Sequence, residues 1–174
     1  MALVCNNISL YFDPMNVTLF LDLDGVLADF DKKVLEITGK KPEQLEQRLM
    51  WPRIAKHPNF YGTLDWMPDG EDLWNQTKHL NPIILTGLPR GSWAEPQKRS
   101  WCAQHLGPEI QVITCLSKEK HLRAQPYILP NTKALLIDDR EKLRPQWEEA
   151  GGIFIHHTTT KTTLEQLIAM QILR

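Results

Sequence analysis

Two aspartates stand two positions apart where a largely apolar run of the chain ends. Residues 17–21 lead into Asp22, and Asp24 and Gly25 follow directly. Buried strands read as continuous apolar stretches, and carboxylates are rarely buried without partners, so both aspartates should emerge at the carboxyl end of a core strand. Ligands bind at that edge of open α/β sheets. Because close carboxylates repel each other unless a cation neutralises them, the pair indicates a hard, oxygen-preferring cation and an anionic substrate group.

The ends of later apolar runs carry further groups of the same kind. A hydroxyl, two more carboxylates and a lysine follow them: Thr86 with Gly87, Asp138 with Asp139, and Lys118 or Lys120. If these runs are neighbouring parallel strands, their carboxyl ends converge with Asp22 and Asp24 at one edge of the sheet. A single acidic pair could be a solvated strand end with a turn glycine, but two such pairs at one edge favour a shared site.

Strands that alternate with helices are needed to bring these residues together. Five apolar runs predict strands, at residues 17–22, 82–86, 110–114, 134–138 and 152–156. The stretches between and after them predict helices, at residues 71–80, 94–106, 117–124, 141–150 and 163–173. This alternation is typical of an α/β fold, here a Rossmann-like parallel sheet with helices on both faces.

The alternation is interrupted between residues 30 and 67. This stretch holds helical fragments, prolines and aromatic residues but no strong strand. A structureless loop of that length is rare in a compact domain, so we predict a small helical cap inserted after the first core strand, above the carboxyl edge of the sheet. The core domain then comprises residues 17–29 and 68–174. Residues 1–16 form an N-terminal extension, with an edge strand expected at residues 8–12.

Composition narrows the class of protein. The chain has 174 residues, a net charge of −1 and no Lys/Arg block, so a nucleic-acid partner is not expected. No apolar run approaches the roughly 18 residues of a membrane span, and the N-terminus lacks a signal-peptide pattern. The three cysteines, Cys5, Cys102 and Cys115, are scattered without metal-ligand spacing, which indicates free thiols. We therefore expect a cytoplasmic protein with no membrane partner; its oligomeric state does not follow from the sequence.

Four segments, in this order, resemble the four motifs of the haloacid dehalogenase-like phosphohydrolase superfamily. They are Asp22-Leu-Asp24-Gly25-Val26-Leu27, Leu85-Thr86-Gly87, Lys118 or Lys120, and Ile137-Asp138-Asp139. Residues 22–29, 60–64 and 136–140 are most similar to the deoxyribonucleotidase branch, which also carries a short helical cap after the first strand. The resemblance spans the chain from residue 17 to its last residue.

The resemblance implies hydrolysis of a phosphate ester through a covalent intermediate. Asp22 would attack phosphorus, and Asp24 would protonate the leaving oxygen and then activate water. Mg²⁺ would be held by Asp22, the backbone carbonyl of Asp24, and Asp138, with Asp139 contributing through water. An aspartate at position 24 separates the phosphatases from the dehalogenase members, so we reject dehalogenation.

The resemblance also assigns the groups that bind the phosphoryl oxygens. Thr86 would donate a hydrogen bond, and Gly87 permits backbone N–H groups to come close. The lysine of the third motif would neutralise the charge of Asp22 and of the phosphate. Lys118 and Lys120 both fit this motif; we favour Lys120, which precedes an apolar-periodic stretch, and keep Lys118 open.

Residues beside these motifs could contact the rest of the substrate. Those after the threonine motif could reach a second anionic group or a base, or could lie on the surface: Arg90, Trp93 and Lys98. The aromatic residues of the cap could stack on a nucleobase or form the core of the cap: Trp51, Phe60, Tyr61 and Trp66. We expect a small phosphorylated substrate, with a nucleoside monophosphate favoured.

Two other functions stay open. Asp138-Asp139-Arg140 followed by Trp147 and Gly151 also resembles the phosphatase domain of polynucleotide kinase-phosphatases, which would indicate a 3′-phosphatase acting on polynucleotides. The near-neutral charge argues against it, because strand binding normally uses a basic groove. The third function is that of a catalytically inactive binding or regulatory protein on the same fold, although every motif residue is present.

Overall fold

The centre of the structure, a computed structural model that describes residues 16–174, is a five-stranded sheet. The strands are β1 (Asn16–Leu21), β2 (Ile83–Gly87), β3 (Val112–Cys115), β4 (Thr132–Asp138) and β5 (Ile153–His156). Their order is β3-β2-β1-β4-β5, and every neighbouring pair is parallel. The edge strand expected at residues 8–12 lies outside the described residues. Asn16, assigned to the N-terminal extension from the sequence, is the first residue of β1.

Seven α-helices lie in the described part of the chain. They are α1 (Phe30–Thr38), α2 (Gln47–Ala55), α3 (Gly70–Thr77), α4 (Ala94–His105), α5 (Lys120–Ala124), α6 (Arg144–Glu149) and α7 (Thr160–Ala169). Between residues 16 and 174, no helix is long and apolar enough to cross a membrane. The prediction for α7 was wrong at both ends. The Thr159 hydroxyl accepts the Thr162 N–H and starts the helix, whereas Gln171, at φ +59°, follows its end.

Helices cover both faces of the sheet, which confirms the α/β prediction. Side chains alternate along a strand, so Leu21 packs on one face and Phe20 on the other. The first face is covered by α3, α4 and α7, whose buried residues share a core with Leu21. The second face is covered by α5 and α6, through residues such as Ala124 and Trp147.

The stretch predicted as a cap, residues 30–67, folds as α1, α2 and short 3₁₀ turns. Asp29 caps α1 by accepting the Lys32 N–H at 2.9 Å, and Gly39 ends the helix at φ +75°. The apolar side chains of the cap belong to the same core as α4. The buried Trp101 indole N–H of α4 donates to the Leu64 carbonyl at 2.8 Å, which fixes the end of the cap to this helix.

Candidate active site

The carboxyl ends of three adjacent strands meet at one edge of the sheet. Strand β1 lies between β2 and β4, so the residues that follow these strands become neighbours despite their distance in sequence. The Asp22 N–H donates to the Ile137 carbonyl at 2.9 Å and extends the β1–β4 ladder to the first aspartate. A cleft of about 780 Å³ opens above this edge, and cap residues such as Met50 and Trp51 form its opposite wall.

A tight turn after β1 presents the two opening aspartates. The Gly25 N–H donates to the Ala28 carbonyl, and the Ala28 N–H donates to the Leu23 carbonyl, both at 2.9 Å. Gly25 adopts φ +76°, a conformation that side chains disfavour. A Cβ atom at this position would lie 2.5 Å from an Asp139 carboxylate oxygen. Glycine is therefore required both by the turn and by the close approach of Asp139.

Lys120 lies between two carboxylates beneath the cleft. Its ammonium group is 2.9 Å from Asp22 Oδ1 and 2.6 Å from Asp138 Oδ2, and all three side chains are buried. Burial by itself would lower the pKa of Lys120, but the charges of Asp22 and Asp138 outweigh it and raise the pKa. The lysine is therefore charged and neutralises part of this acidic cluster.

Three aspartates could hold a metal ion. One oxygen of each of Asp22, Asp138 and Asp139 lies within 4.8 Å of the others. Loss of hydration, together with the charges of Asp22 and Asp138, raises the pKa of Asp139 to about 7. Negative charge therefore exceeds what Lys120 neutralises, and a divalent cation would relieve the excess. Because Mg²⁺ prefers carboxylate oxygens, these residues fit the expected metal.

The Asp24 side chain lies outside this metal-ligand group. Its Oδ2 atom accepts from Lys98 at 2.5 Å, and its Oδ1 atom is buried without a hydrogen-bond partner among residues 16–174. Burial raises the pKa of Asp24, against the opposing charge of Lys98. The side chain therefore contacts Lys98 and is not among the carboxylates that could hold the metal; the backbone carbonyl of Asp24, the ligand that the resemblance implies, stays a prediction.

Lys98 is a site residue whose position the sequence did not decide. Its side chain is fully buried, and its ammonium group also donates to Thr86 Oγ1 at 2.9 Å. The surface position considered for Lys98 is therefore wrong. A signal was present, because Ala94, Lys98, Trp101 and Cys102 follow helical spacing and form the buried face of α4.

The other predicted residues are placed as follows. Thr86 is fully buried and is not among the residues that line the cleft, whereas Gly87 and Ser117 line it. A side chain on Gly87 would collide with the Ser117 hydroxyl. Lys118 is exposed at the cleft and makes no ion pair within the described residues, so it does not contact the carboxylates that Lys120 bridges.

The three candidate substrate residues, Arg90, Trp51 and Tyr61, all line the cleft. Arg90 is exposed and Trp51 is half-buried, so both are accessible from the cleft. Tyr61 is almost completely buried, and its ring stacks against that of Trp93 at a centroid distance of 5.4 Å. Tyr61 therefore belongs to the core of the cap, the second of the two roles considered for the cap aromatics.

Comparisons with known proteins indicate a hydrolase family. No family model matches the chain. The cytosolic type of human (Homo sapiens) 5′(3′)-deoxyribonucleotidase is 27% identical over 164 residues, with 76% of this chain and 78% of that protein covered.

Two solved structures are similar in fold. A hydrolase from Streptococcus pneumoniae TIGR4 has a TM-score of 0.52 and 14% identity, with 90% of this chain and 99% of that chain covered. A protein described as a haloacid dehalogenase-like hydrolase, from Burkholderia xenovorans LB400, has a TM-score of 0.50 and 14% identity, with 81% and 80% covered. The chain is therefore similar in sequence to a nucleotidase and similar in fold to haloacid dehalogenase-like hydrolases.

Proposed function

We propose that this protein is a Mg²⁺-dependent phosphomonoesterase in which Asp22 is the nucleophile. The observation that carries the proposal is the placement of Asp22 at the cleft floor. Its Oδ1 atom accepts the Leu23 N–H at 2.7 Å and contacts Lys120 at 2.9 Å. Both contacts involve Oδ1, so Oδ2 is left for attack on phosphorus. A cation in this position also neutralises charge as the anionic substrate approaches.

Hydrolysis would proceed in two steps. Asp22 Oδ2 forms a bond to phosphorus while the bond from phosphorus to the ester oxygen breaks, and Asp24 gives its proton to that oxygen, so that the alcohol leaves neutral. Asp24 then takes a proton from water as the water oxygen attacks the aspartyl phosphate, which releases phosphate and regenerates Asp22. The raised pKa of Asp24 supports the protonated starting state. Bound Mg²⁺ would supply positive charge to the phosphoryl oxygens and to Asp22.

A nucleoside monophosphate is the substrate class that we propose. The cleft is large enough for a small ligand and combines carboxylates at its floor with Phe30 and Trp51 on the cap side. Aromatic faces stack on bases without regard to sequence. The curated relative is named as a deoxyribonucleotidase, and the sequence match to it covers about three quarters of each chain.

The test begins with phosphate release by the purified protein. A panel of deoxynucleoside and nucleoside monophosphates, sugar phosphates, 4-nitrophenyl phosphate and 3′-phosphorylated oligonucleotides is assayed with Mg²⁺ and with excess chelator. We expect Mg²⁺-dependent hydrolysis that the chelator abolishes, with nucleoside monophosphates the best substrates. Preference for the oligonucleotides would support the polynucleotide phosphatase instead, and chelator-resistant turnover would contradict the metal site.

The nucleophile is tested with Asp22→Asn, which is nearly the same size and keeps an oxygen to accept the Leu23 N–H. We expect activity to fall below detection while the far-UV circular dichroism spectrum stays unchanged. Lys161→Met, which changes an exposed residue of α7, is the control for loss of a charge. Normal turnover by Asp22→Asn would show that another group attacks phosphorus.

A further inference from the structure

A lysine is buried where the cap, the core helix α4 and the strand ends meet. The Lys98 ammonium group contacts Asp24 Oδ2 at 2.5 Å and Thr86 Oγ1 at 2.9 Å, and it lies 4.3 Å from the centroid of the Tyr61 ring. Its side chain is completely excluded from water. All contacts of this ammonium group are therefore with protein groups and none are with bulk water.

Burying a lysine here costs free energy of folding, which its contacts must offset. A buried charge must be paired and hydrogen-bonded, and a well-packed apolar residue often serves stability as well or better. The neighbouring buried positions of α4, such as Ala94, Trp101 and Cys102, are apolar. The contacts of Lys98 are with two residues of the proposed reaction and with one residue of the cap. This selection of partners favours a role in the site over a role in packing.

We propose that Lys98 is a positioning residue that aligns Asp24 for proton transfer during phosphoryl transfer. The proposal rests on the phosphomonoesterase function proposed above. An ammonium group has three donors and no acceptor, so Thr86 Oγ1 must be the acceptor in their hydrogen bond. Thr86 therefore helps to hold the ammonium group in place beside Asp24.

Lys98 also fixes the Asp24 carboxylate. The contact with Oδ2 restricts rotation of the side chain and so holds the carboxylate in one orientation. Proton transfer requires that an Asp24 carboxylate oxygen and the ester oxygen come within hydrogen-bond distance, so small displacements of Asp24 would slow the reaction. Because the Tyr61 ring covers the ammonium group from the cap side, Lys98 also ties the position of Asp24 to the seating of the cap.

The dependence of rate on the leaving group tests this role. Lys98→Met keeps most of the stem and removes the ammonium group. A nucleoside monophosphate has an alkoxide leaving group that needs a proton, whereas 4-nitrophenolate leaves readily without one. We expect kcat/KM to fall about 100-fold for thymidine 5′-monophosphate but only about 10-fold for 4-nitrophenyl phosphate, in line with typical contributions of general acid catalysis. A purely structural loss would lower both values equally.

Two further variants control the experiment. Lys98→Arg keeps a cationic donor and should recover part of the loss on thymidine 5′-monophosphate. Arg99→Met removes the same charge one position away on α4, at an exposed side chain, and should leave the ratio of the two kcat/KM values unchanged. If Lys98→Met does not fold, as judged by urea unfolding, Lys98→Gln is measured in its place against the same criteria.

The outcomes separate the two proposals. If the wild-type protein is inactive on both substrates, the proposed function is wrong and the role of Lys98 is overturned with it. If the wild-type protein is active and the Lys98 variant keeps its ratio of kcat/KM values, the positioning role alone is overturned. A ratio that shifts against the nucleotide and is partly restored in Lys98→Arg supports it.

Discussion

Replacing Lys120 with methionine removes the cation that separates two buried carboxylates. In the folded protein the ammonium group lies 2.9 Å from Asp22 Oδ1 and 2.6 Å from Asp138 Oδ2. Asp138 is completely buried and Asp22 is nearly so, which means that water cannot replace the lost partner. Lys120→Met should therefore destabilise the protein strongly in the absence of divalent cations.

The magnitude follows from the burial of the three groups. Removing one partner of a buried ion pair typically costs about 3–5 kcal/mol, because the remaining charge stays in the interior. For a chain of this size, that corresponds to a fall in Tm of about 6–20 °C. Mg²⁺ should restore part of the loss, since it would neutralise Asp22 and Asp138 and binds only the folded protein. The free energy of unfolding is measured by urea titration, with excess chelator and with Mg²⁺.

Lys118→Met is the matched control for stability. The two lysines are two positions apart, but Lys118 is exposed and makes no ion pair in residues 16–174. Its substitution should change the free energy of unfolding by no more than about 0.5 kcal/mol. If the free energy of unfolding of Lys120→Met in chelator lies within about 1 kcal/mol of the wild-type value, the loss is too small for a buried charge left without its partner. Lys120 would then not neutralise these carboxylates, and our account of the cluster would be wrong.

Two further predictions concern the turn after β1 and the end of β5. Gly25→Ala should weaken Mg²⁺ activation and lower the free energy of unfolding by about 1–3 kcal/mol, because the new Cβ atom forces Asp139 away and the residue keeps φ +76°. Mg²⁺ titration of activity measures the first effect, and urea unfolding measures the second. Unchanged values would refute the close approach of Asp139 to Gly25. Burial lowers the pKa of His157, which contacts the Thr163 hydroxyl, so the unfolded chain binds a proton more readily. Stability should therefore fall as pH drops through about 6.5, the pKa of an unperturbed histidine. Urea unfolding at pH 7.5 and 5.5 should show a smaller fall for His157→Gln than for the wild type, and equal falls would contradict this assignment.

The general layout of the fold was predictable from the sequence, and its details at helix ends were not. Apolar runs identified all five strands to within two residues, since a parallel strand is buried on both faces. Helix ends depend on a few hydrogen bonds that periodicity does not reveal. Ser117, the first residue of the helix predicted at residues 117–124, instead begins a 3₁₀ turn, and its hydroxyl accepts from Arg140 at 2.9 Å. Helix α5 accordingly begins three residues later, at Lys120.

For the candidate site, the sequence alone determined the acidic strand ends and the superfamily resemblance. Parallel strands end at a common edge, so Asp22, Asp138 and Asp139 could be placed together once the strands were identified. The choice between Lys118 and Lys120 depended on tertiary structure, because both follow β3 and only the first turn of α5 directs one of them beneath the cleft.

The position of Lys98 likewise depended on tertiary structure. Its spacing on α4 could place it on the buried face, but its partner Asp24 is 74 positions away in the chain. Local sequence patterns record which face of a helix is buried, whereas the packing of α4 against the strand ends and the cap decides what that face meets. Residue types and spacing therefore determined which groups are available for chemistry, and long-range packing decided which lysine forms an ion pair with each aspartate.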